Sequence, residues 1–360
     1  MTTTLSDLLG VLLPNLSPAL AGTKARSDLM EIAKNLPPIG RGVFECRLED
    51  GSSQVDLIQS IAVGIEELSW LERHIAGNDK LASNPVWVRI SDLSSMLTES
   101  FFNGVRAMWL EIDAVSLGSS PVIPSVYLRL NPEDSSHDRA YSAAEDALEI
   151  LLGRPRPFPG LRSCWTSDNA RIIHIGAMMA RHEDDTLRVV FKPRHSEGIL
   201  PFLQQIGWSG PSDEVEALTS WLHSFASHID MLVQADVGPK ASSRIGLECA
   251  WRAGPENDNI NIALLDGLVK SCICSQEKRD GLLAWPGCTD PTSIQDPWPD
   301  QLIIESLQNP LNWFSLFERQ VSTIKIIYQP GRRLKAKGYL WFEHHWFRPE
   351  AERLGGCGRP

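Results

Sequence analysis

The hydrophobic pattern of this chain changes period repeatedly. Short segments in which apolar and polar residues alternate come in pairs, and between the pairs the apolar spacing lengthens to three or four residues. A period of two places alternate side chains on opposite faces of a strand, whereas a period near 3.6 draws one apolar stripe along a helix. Five strand pairs are predicted: Val43 to Leu48 with Val55 to Ser60, Ala107 to Asp113 with Val122 to Leu130, Ile172 to Arg181 with Leu187 to Lys192, Arg244 to Trp251 with Asn259 to Leu264, and Ser322 to Gln329 with Leu334 to Phe342. The members of each pair are too close for a parallel crossover, so they read as antiparallel hairpins. Turn chemistry agrees at Asp50-Gly51, at Glu183-Asp184-Asp185, at 254–258 and at Pro330-Gly331, where Pro fixes φ and Gly tolerates a positive one. Between the hairpins, helical stripes run through Ile61, Ile65, Leu68, Leu71 and Ile75, and from Val215 through Leu218, Leu222, Phe225 and Ile229 to Leu232. Asp213 with Glu216, and Ser142 with Glu145, read as capping boxes, and Asp92 to Phe102 and Gln301 to Leu316 as further helices.

The two faces of these strands differ in kind. Leu334, Ala336, Gly338, Leu340 and Phe342 share one face of the last strand, and Lys335, Lys337, Tyr339 and Trp341 share the other. Leu110 and Ile112 oppose Trp109, Glu111 and Asp113, and Val126, Leu128 and Leu130 oppose Tyr127 and Arg129. The same split sets Leu187, Val189 and Phe191 against Arg188 and Lys192, Ile245, Leu247 and Cys249 against Glu248, and Ile324 and Ile326 against Lys325. An open antiparallel sheet backed by helices accounts for charges on a wet face. Closure accounts for more, because it explains why Trp and Tyr alternate with the charges, and it removes the exposed edges of a long sheet. The predicted fold is therefore α+β: repeated helix-hairpin-helix units forming an antiparallel β-barrel of about ten strands inside an outer ring of helices.

Composition narrows the chemistry. The chain has 360 residues, 42% of them apolar and 22% charged, with a formal net charge of -11. That acidic balance argues against nucleic acid as a partner, since such binding rests on Lys and Arg meeting phosphates. The absence of a long apolar run argues against membrane insertion, and together with the lack of a signal-like N-terminus it suggests a cytoplasmic protein. Seven cysteines without ligand spacing, the Cys272 and Cys274 pair included, point to reduced thiols and no metal site.

The strand Lys335-Ala336-Lys337-Gly338-Tyr339, with Arg188 and Lys192 on the third hairpin and the repeated architecture, resembles the ABBA prenyltransferases, the PT-barrel family. The resemblance implies an N-terminal helical segment over 1–42, a single PT-barrel-like domain over 43–349 and a disordered tail over 350–360. It also implies metal-independent transfer of a prenyl group, in secondary metabolism, from an allylic diphosphate to an aromatic small molecule or a peptide side chain, with no cofactor. By position, the diphosphate would fall to Arg129, Arg188, Lys192, Lys325, Lys335 and Lys337, the aromatic shield to Tyr127, Tyr339, Trp109 and Trp341, and the acid to Glu111 or Glu248. One departure stands out: the family's shield is rich in tyrosine, and this chain has only 4.

The chemistry is consistent with such a lining. Ionising an allylic diphosphate needs fixed cations around the leaving group, and the carbocation left behind needs aromatic faces and exclusion of water. A carboxylate then serves the acceptor's proton. No Asp-Asp-x-x-Asp run offers a magnesium site, since Asp184-Asp185 lacks a third acid. His174 shares the lumen face and is a second-tier candidate. His344 and His345 point to opposite faces, and Arg332 and Arg333 sit at a hairpin tip. Two other roles fit the same pattern: a barrel that binds a small molecule without prenylating it, and a protein-interaction or assembly partner in a biosynthetic pathway.

Overall fold

The computed structural model describes residues 3–347 except for 64–65, 100–103, 115–120, 132–136, 156, 159, 182–185, 226–229, 239–241, 252–253, 294–296 and 309–313. The tail expected at 350–360 and the turn at Glu183-Asp184-Asp185 lie outside the described residues. In chain order the elements are α1 (Leu5–Leu12), α2 (Thr23–Ala33), β1 (Arg41–Arg47), β2 (Val55–Ala62), α3 (Glu66–Ala76), α4 (Asp79–Ala82), α5 (Pro85–Glu99), β3 (Val105–Ile112), β4 (Ser125–Leu130), α6 (His137–Leu152), α7 (Leu161–Trp165), β5 (Ala170–Ala177) and β6 (Leu187–Pro193). They continue with α8 (Ile199–Gln205), α9 (Ser212–His223), β7 (Met231–Val237), β8 (Ile245–Ala250), α10 (Pro255–Lys270), α11 (Gln276–Leu283), β9 (Gly287–Thr289), α12 (Asp300–Gln308), β10 (Phe314–Tyr328) and β11 (Lys335–Phe347).

Every neighbouring pair of strands is antiparallel, in the order β11-β1-β2-β3-β4-β5-β6-β7-β8-β10. Because β10 also pairs with β11, these ten strands close into a barrel, and short β9 adds to the far end of β10. The helices lie outside, where the apolar strand faces meet them. Leu128, Ile175, Val189, Phe191, Val233, Leu247, Ile324, Ile326, Leu340 and Phe342 are all fully buried in one core that also takes in the leucines of α1 and α2. Each such side chain contributes roughly 1.5–3 kcal/mol by leaving water, so the wall between barrel and helices is the main source of stability. Aromatic rings reinforce this wall: Phe191 packs on Phe202 of α8 with centroids 3.9 Å apart, and Phe44 on Trp285, just beyond the end of α11, at 5.8 Å. Gly338 lies on this outer face, and a Cβ there would come within 2.6 Å of the Leu282 side chain, so a glycine lets α11 settle against β11.

Four expectations are corrected. The strand Arg244 to Trp251 does not pair with Asn259 to Leu264, which lies in α10; its hairpin partner is β7. Gly254 followed by Pro255 starts that helix, Pro supplying a preformed φ at a position whose N–H has no partner to lose. The stripe from Val215 to Leu232 is two elements, since α9 stops at His223 and Leu232 lies on β7, whose Met231, Val233, Ala235 and Val237 are buried outward. Neither capping box forms: α9 has Pro211 at its N-cap without a side-chain bond, and Ser142 is inside α6. Finally, Gln301 to Leu316 divides into α12 and the first residues of β10.

Candidate functional site in the barrel lumen

Strand register sorts the inward side chains into rows. One row crosses β1, β11, β10 and β8 as Arg47, Lys337, Lys325 and Glu248, each paired with the next. Another crosses β3, β4, β5, β6 and β7 as Trp109, Tyr127, Gly176, Arg188 and Asp236. Glycine makes room in both. A Cβ on Gly176 would sit 2.6 Å from the Tyr127 ring, and one on Gly246 would sit 2.5 Å from Cε of Lys325.

In the first row charges are matched in detail. Lys337 is hydrogen-bonded to Glu45, which is directly opposite Asp56 in the β1–β2 register, and its Nζ is 3.8 Å from Asp56 Oδ2. Asp56 also accepts from Arg47 at 3.2 Å and from the Ala114 N–H at 2.9 Å. Burial pushes the Asp56 carboxyl up, as does neighbouring Glu45, to about 6 despite Lys337, Ala114 and Arg47. Burial works in the same direction on Glu45, but the ammonium groups of Lys337 and Lys325 overcome it and hold that carboxyl well below the usual range. Lys325 pairs with Glu248 at 3.0 Å and donates to the Tyr339 hydroxyl at 3.3 Å, with its Nζ 5.8 Å from the ring centre. Tyr339 stays a neutral phenol, its acidity suppressed first by burial and then by Glu45, Glu248 and Glu111.

Across the lumen, Arg188 Nε donates to Asp236 at 2.7 Å, and Ser242 donates to the second Asp236 oxygen at 3.0 Å. Arg188, Arg244, Lys325 and Gln234 line a small cavity of about 10 Å³, room for one water. Burial lowers the Arg244 pKa, and so does its crowding by Arg188 and Arg181. Three cations thus face one space. Nearer the end of the barrel, Arg181 grips Glu111 at 2.7 Å and Asp113 at 3.0 Å.

The lumen therefore gathers Lys325, Lys337, Arg188, Glu248, Glu111, Tyr127, Tyr339 and Trp109. It does not gather all the residues that alternation put on its face. Lys335 is exposed at the start of β11, Lys192 is at the rim in an ion pair with Asp230 at 2.7 Å, and Arg129 is exposed at the end of β4. Trp341 is half-buried, opposite Val43, and its carbonyl accepts from Trp285. The sequence reading missed Glu45, Asp56, Arg181, Arg244 and Asp236. Glu45 and Asp56 share a period-two face with Arg47 and with Ser60 respectively, so the same alternation applied to the first hairpin finds them. His344 and His345 do point apart, toward Ser315 and toward Glu318, and Arg333 at the hairpin tip is hydrogen-bonded to the Cys272 carbonyl. Among the described residues no group of three or more His, Cys, Asp or Glu side chains is placed to hold a metal ion, and no helix is long and apolar enough to cross a membrane.

No family model and no curated protein matches the sequence. The fold does match. A 5-dimethylallyltryptophan synthase from Streptomyces coelicolor, in complex with DMASPP and Trp, superposes with a TM-score of 0.54 at 12% identity, over 100% of this chain and 98% of that one. A 6-dimethylallyltryptophan synthase from Micromonospora olivasterospora gives 0.54 at 12%, over 94% and 97%, and the prenyltransferase PriB 0.52 at 13%, over 94% and 96%. In architecture the chain resembles the ABBA prenyltransferases, and its fold is the PT-barrel. Identities this low show the fold alone.

Proposed function

We propose that this barrel transfers a prenyl group from an allylic diphosphate to an aromatic acceptor without a divalent metal. The observation that carries the reading is the convergence of Arg188, Arg244 and Lys325 on one cavity inside a closed barrel, which at about 10 Å³ holds one water and has to widen, by movement of these long side chains, to take a diphosphate. Cations crowded out of water favour an anion, and a diphosphate leaving group develops negative charge as its bond to the allylic carbon breaks. The electron pair departs with the diphosphate. The allylic cation is left facing Tyr339 and Tyr127, which burial keeps neutral. The acceptor ring attacks that cation, and Glu45, held ionised by Lys337 and Lys325, receives the ring proton as aromaticity returns. Glu111 and Glu248 are engaged by Arg181 and Lys325, and on this reading they set the positions of those cations.

A second reading is favoured by a specific observation: Arg188, Lys325 and Lys337 each already have a carboxylate partner. A lumen so neutralised also suits a small molecule bound without ionisation. Titration with dimethylallyl thiolodiphosphate in EDTA, followed by incubation with dimethylallyl diphosphate and aromatic acceptors, separates the two. The expected results are binding weakened roughly ten- to a hundredfold by Arg244→Gln, no change in Arg332→Ala at the hairpin tip, and a prenylated product by mass spectrometry. Binding without product in any acceptor favours the second reading, and no binding of the analogue overturns the first.

A further inference from the structure

Two carboxyls face each other in the lumen wall, and only Glu45 takes part in the prenyl transfer as proposed. Glu45 on β1 and Asp56 on β2 are directly opposite in register, and they are 2% and 0% exposed. Opposed residues on antiparallel strands have Cβ atoms roughly 4.5–5.5 Å apart, close enough for the two side chains to meet. One ammonium serves both: Lys337 Nζ is hydrogen-bonded to Glu45 Oε1 and is 3.8 Å from Asp56 Oδ2. Their other surroundings differ. Glu45 is met by Lys337 from β11, with Lys325 of β10 and Tyr339 nearby. Asp56 is met by groups that reach the rim: it accepts from Arg47 at the end of β1 and from Gln54 just before β2, both half-buried, at 3.2 and 3.4 Å, and from the Ala114 N–H at 2.9 Å. Asp113, just past β3, is held by Arg181 at 3.0 Å. Burial opposes ionisation of both carboxyls. At Glu45 the ammonium groups of Lys337 and Lys325 overcome it, whereas at Asp56 neighbouring Glu45 adds to it and the carboxyl is pushed up to about 6. A proton taken up by the pair therefore rests on Asp56.

We infer that Glu45 and Asp56 form a two-carboxyl proton relay, in which Glu45 takes the proton that the acceptor ring loses and Asp56 takes it from Glu45. This rests on the proposed prenyl transfer for the origin of the proton; the pair itself follows from the register and the shared ammonium. In the first step the ring C–H bond breaks, its electron pair restores the aromatic ring, and an O–H bond forms on Glu45. In the second that O–H bond breaks and one forms on Asp56, while Lys337 remains an ammonium throughout. The second step has a physical cause. A neutral Glu45 deprives the buried Lys337 ammonium of its closest counter-charge, and uncompensated buried charge is costly. When Asp56 is neutral instead, the cation that loses its partner is Arg47, which is half-buried at the rim. The transfer also returns Glu45 to its ionised form for the next turnover.

Two measurements test the relay, and the first needs no substrate. Infrared difference spectra across a pH titration follow the C=O stretch of protonated carboxyls. The unaltered protein is expected to show a buried carboxyl that gains its proton as pH falls through about 6, and Asp56→Asn to lack it. Glu45→Gln is expected to move that titration to lower pH, because the like charge that raises Asp56 is gone. The second measurement compares the first turnover with the steady state in product formation from dimethylallyl diphosphate and an indole or phenol acceptor. With Asp56→Asn the ratio of steady-state to first-turnover rate is expected to fall at least about tenfold, since Glu45 keeps the first proton it receives. In the unaltered protein the same ratio is expected to fall as pH drops through about 6, where Asp56 already carries a proton, and Asp56→Glu is expected to restore it at neutral pH. A ratio that Asp56→Asn leaves unchanged, with both rates slowed alike, would make Asp56 a positioning residue and overturn the relay. An infrared titration that Glu45→Gln does not move would overturn the pair itself. If the coupled titration is present and no acceptor is prenylated, prenyl transfer fails and takes the ring proton with it, while the proton-sharing pair stands.

Discussion

Two walls of one lumen handle polar groups in opposite ways. On β1, β2, β10 and β11 charges meet counter-charges: Lys337 with Glu45 and Asp56, Arg47 with Asp56, and Lys325 with Glu248. On β3, β4 and β5 Glu111 is paired with Arg181, but Trp109 Nε1 and His174 Nε2 have no hydrogen-bond partner, and the charges that act on Arg129 at the rim are the cations Arg106 and Arg41. The first arrangement is bound up with folding, because removing one member strands another in low dielectric. The second adds no pairing energy to the fold and carries the desolvation cost of its unpartnered atoms. A row of inward charges in a sequence is therefore ambiguous until one knows which of them already have partners.

The sharpest way to break the contrast is Lys337→Met. Glu45 is 2% exposed and Asp56 0%, so without the ammonium two buried carboxyls face each other. Breaking such a group by deleting one partner costs about 3–5 kcal/mol. Adding Glu45→Gln removes one of the two stranded charges and is expected to recover most of the loss. Urea unfolding of the single and double variants measures both. A double variant no more stable than the single one would mean that the matched wall is not held by its pairs.

The barrel was legible in the alternation of β3, β4, β6, β8, β10 and β11, where apolar and polar faces separate cleanly. β7 was not, because Leu218, Leu222, Phe225, Ile229 and Leu232 continue a helical spacing through what is a helix end and a strand start, and apolar spacing alone cannot mark that boundary. The site was half legible. Inward direction follows from strand parity, which found Lys325, Lys337, Arg188 and Tyr339. Pairing does not, because Lys337 and Glu45 are 292 residues apart and meet only because β11 closes on β1. Nor does parity show how far along the barrel a residue sits, which is why Lys192, Lys335 and Arg129 belong to the rim.

Asp56→Asn sharpens the comparison from the other side, through pH. An acid whose pKa is raised by folding destabilises the native state once pH exceeds its unfolded value, here 3.8, and the cost is complete above about 6. It amounts to about 3 kcal/mol at neutral pH. The asparagine side chain can still accept from the Ala114 N–H. Thermal melts are expected to show Asp56→Asn more stable than the unaltered protein at pH 8, with the gain shrinking to nothing as pH falls to 4. A loss of stability at both pH values would show that the ion pairs of Asp56 with Arg47 and Lys337 outweigh its desolvation.

The smallest effect on stability is expected on the unmatched wall. Arg129 is exposed, in no ion pair among the described residues, and its charged neighbours Arg106 and Arg41 repel it. Arg129→Gln should therefore change unfolding free energy by no more than about 0.5 kcal/mol, the range of surface substitutions that break no specific contact. Any shift should be toward stability, and it should fade at high salt, because relief of like-charge repulsion between exposed groups is screened over about 10 Å at 0.1 M. Unfolding curves at low and high ionic strength read this directly. A salt-independent loss of more than 1 kcal/mol would mean that Arg129 already serves the fold as Lys337 does, and the division between a wall held by ion pairs and one that is not would be gone.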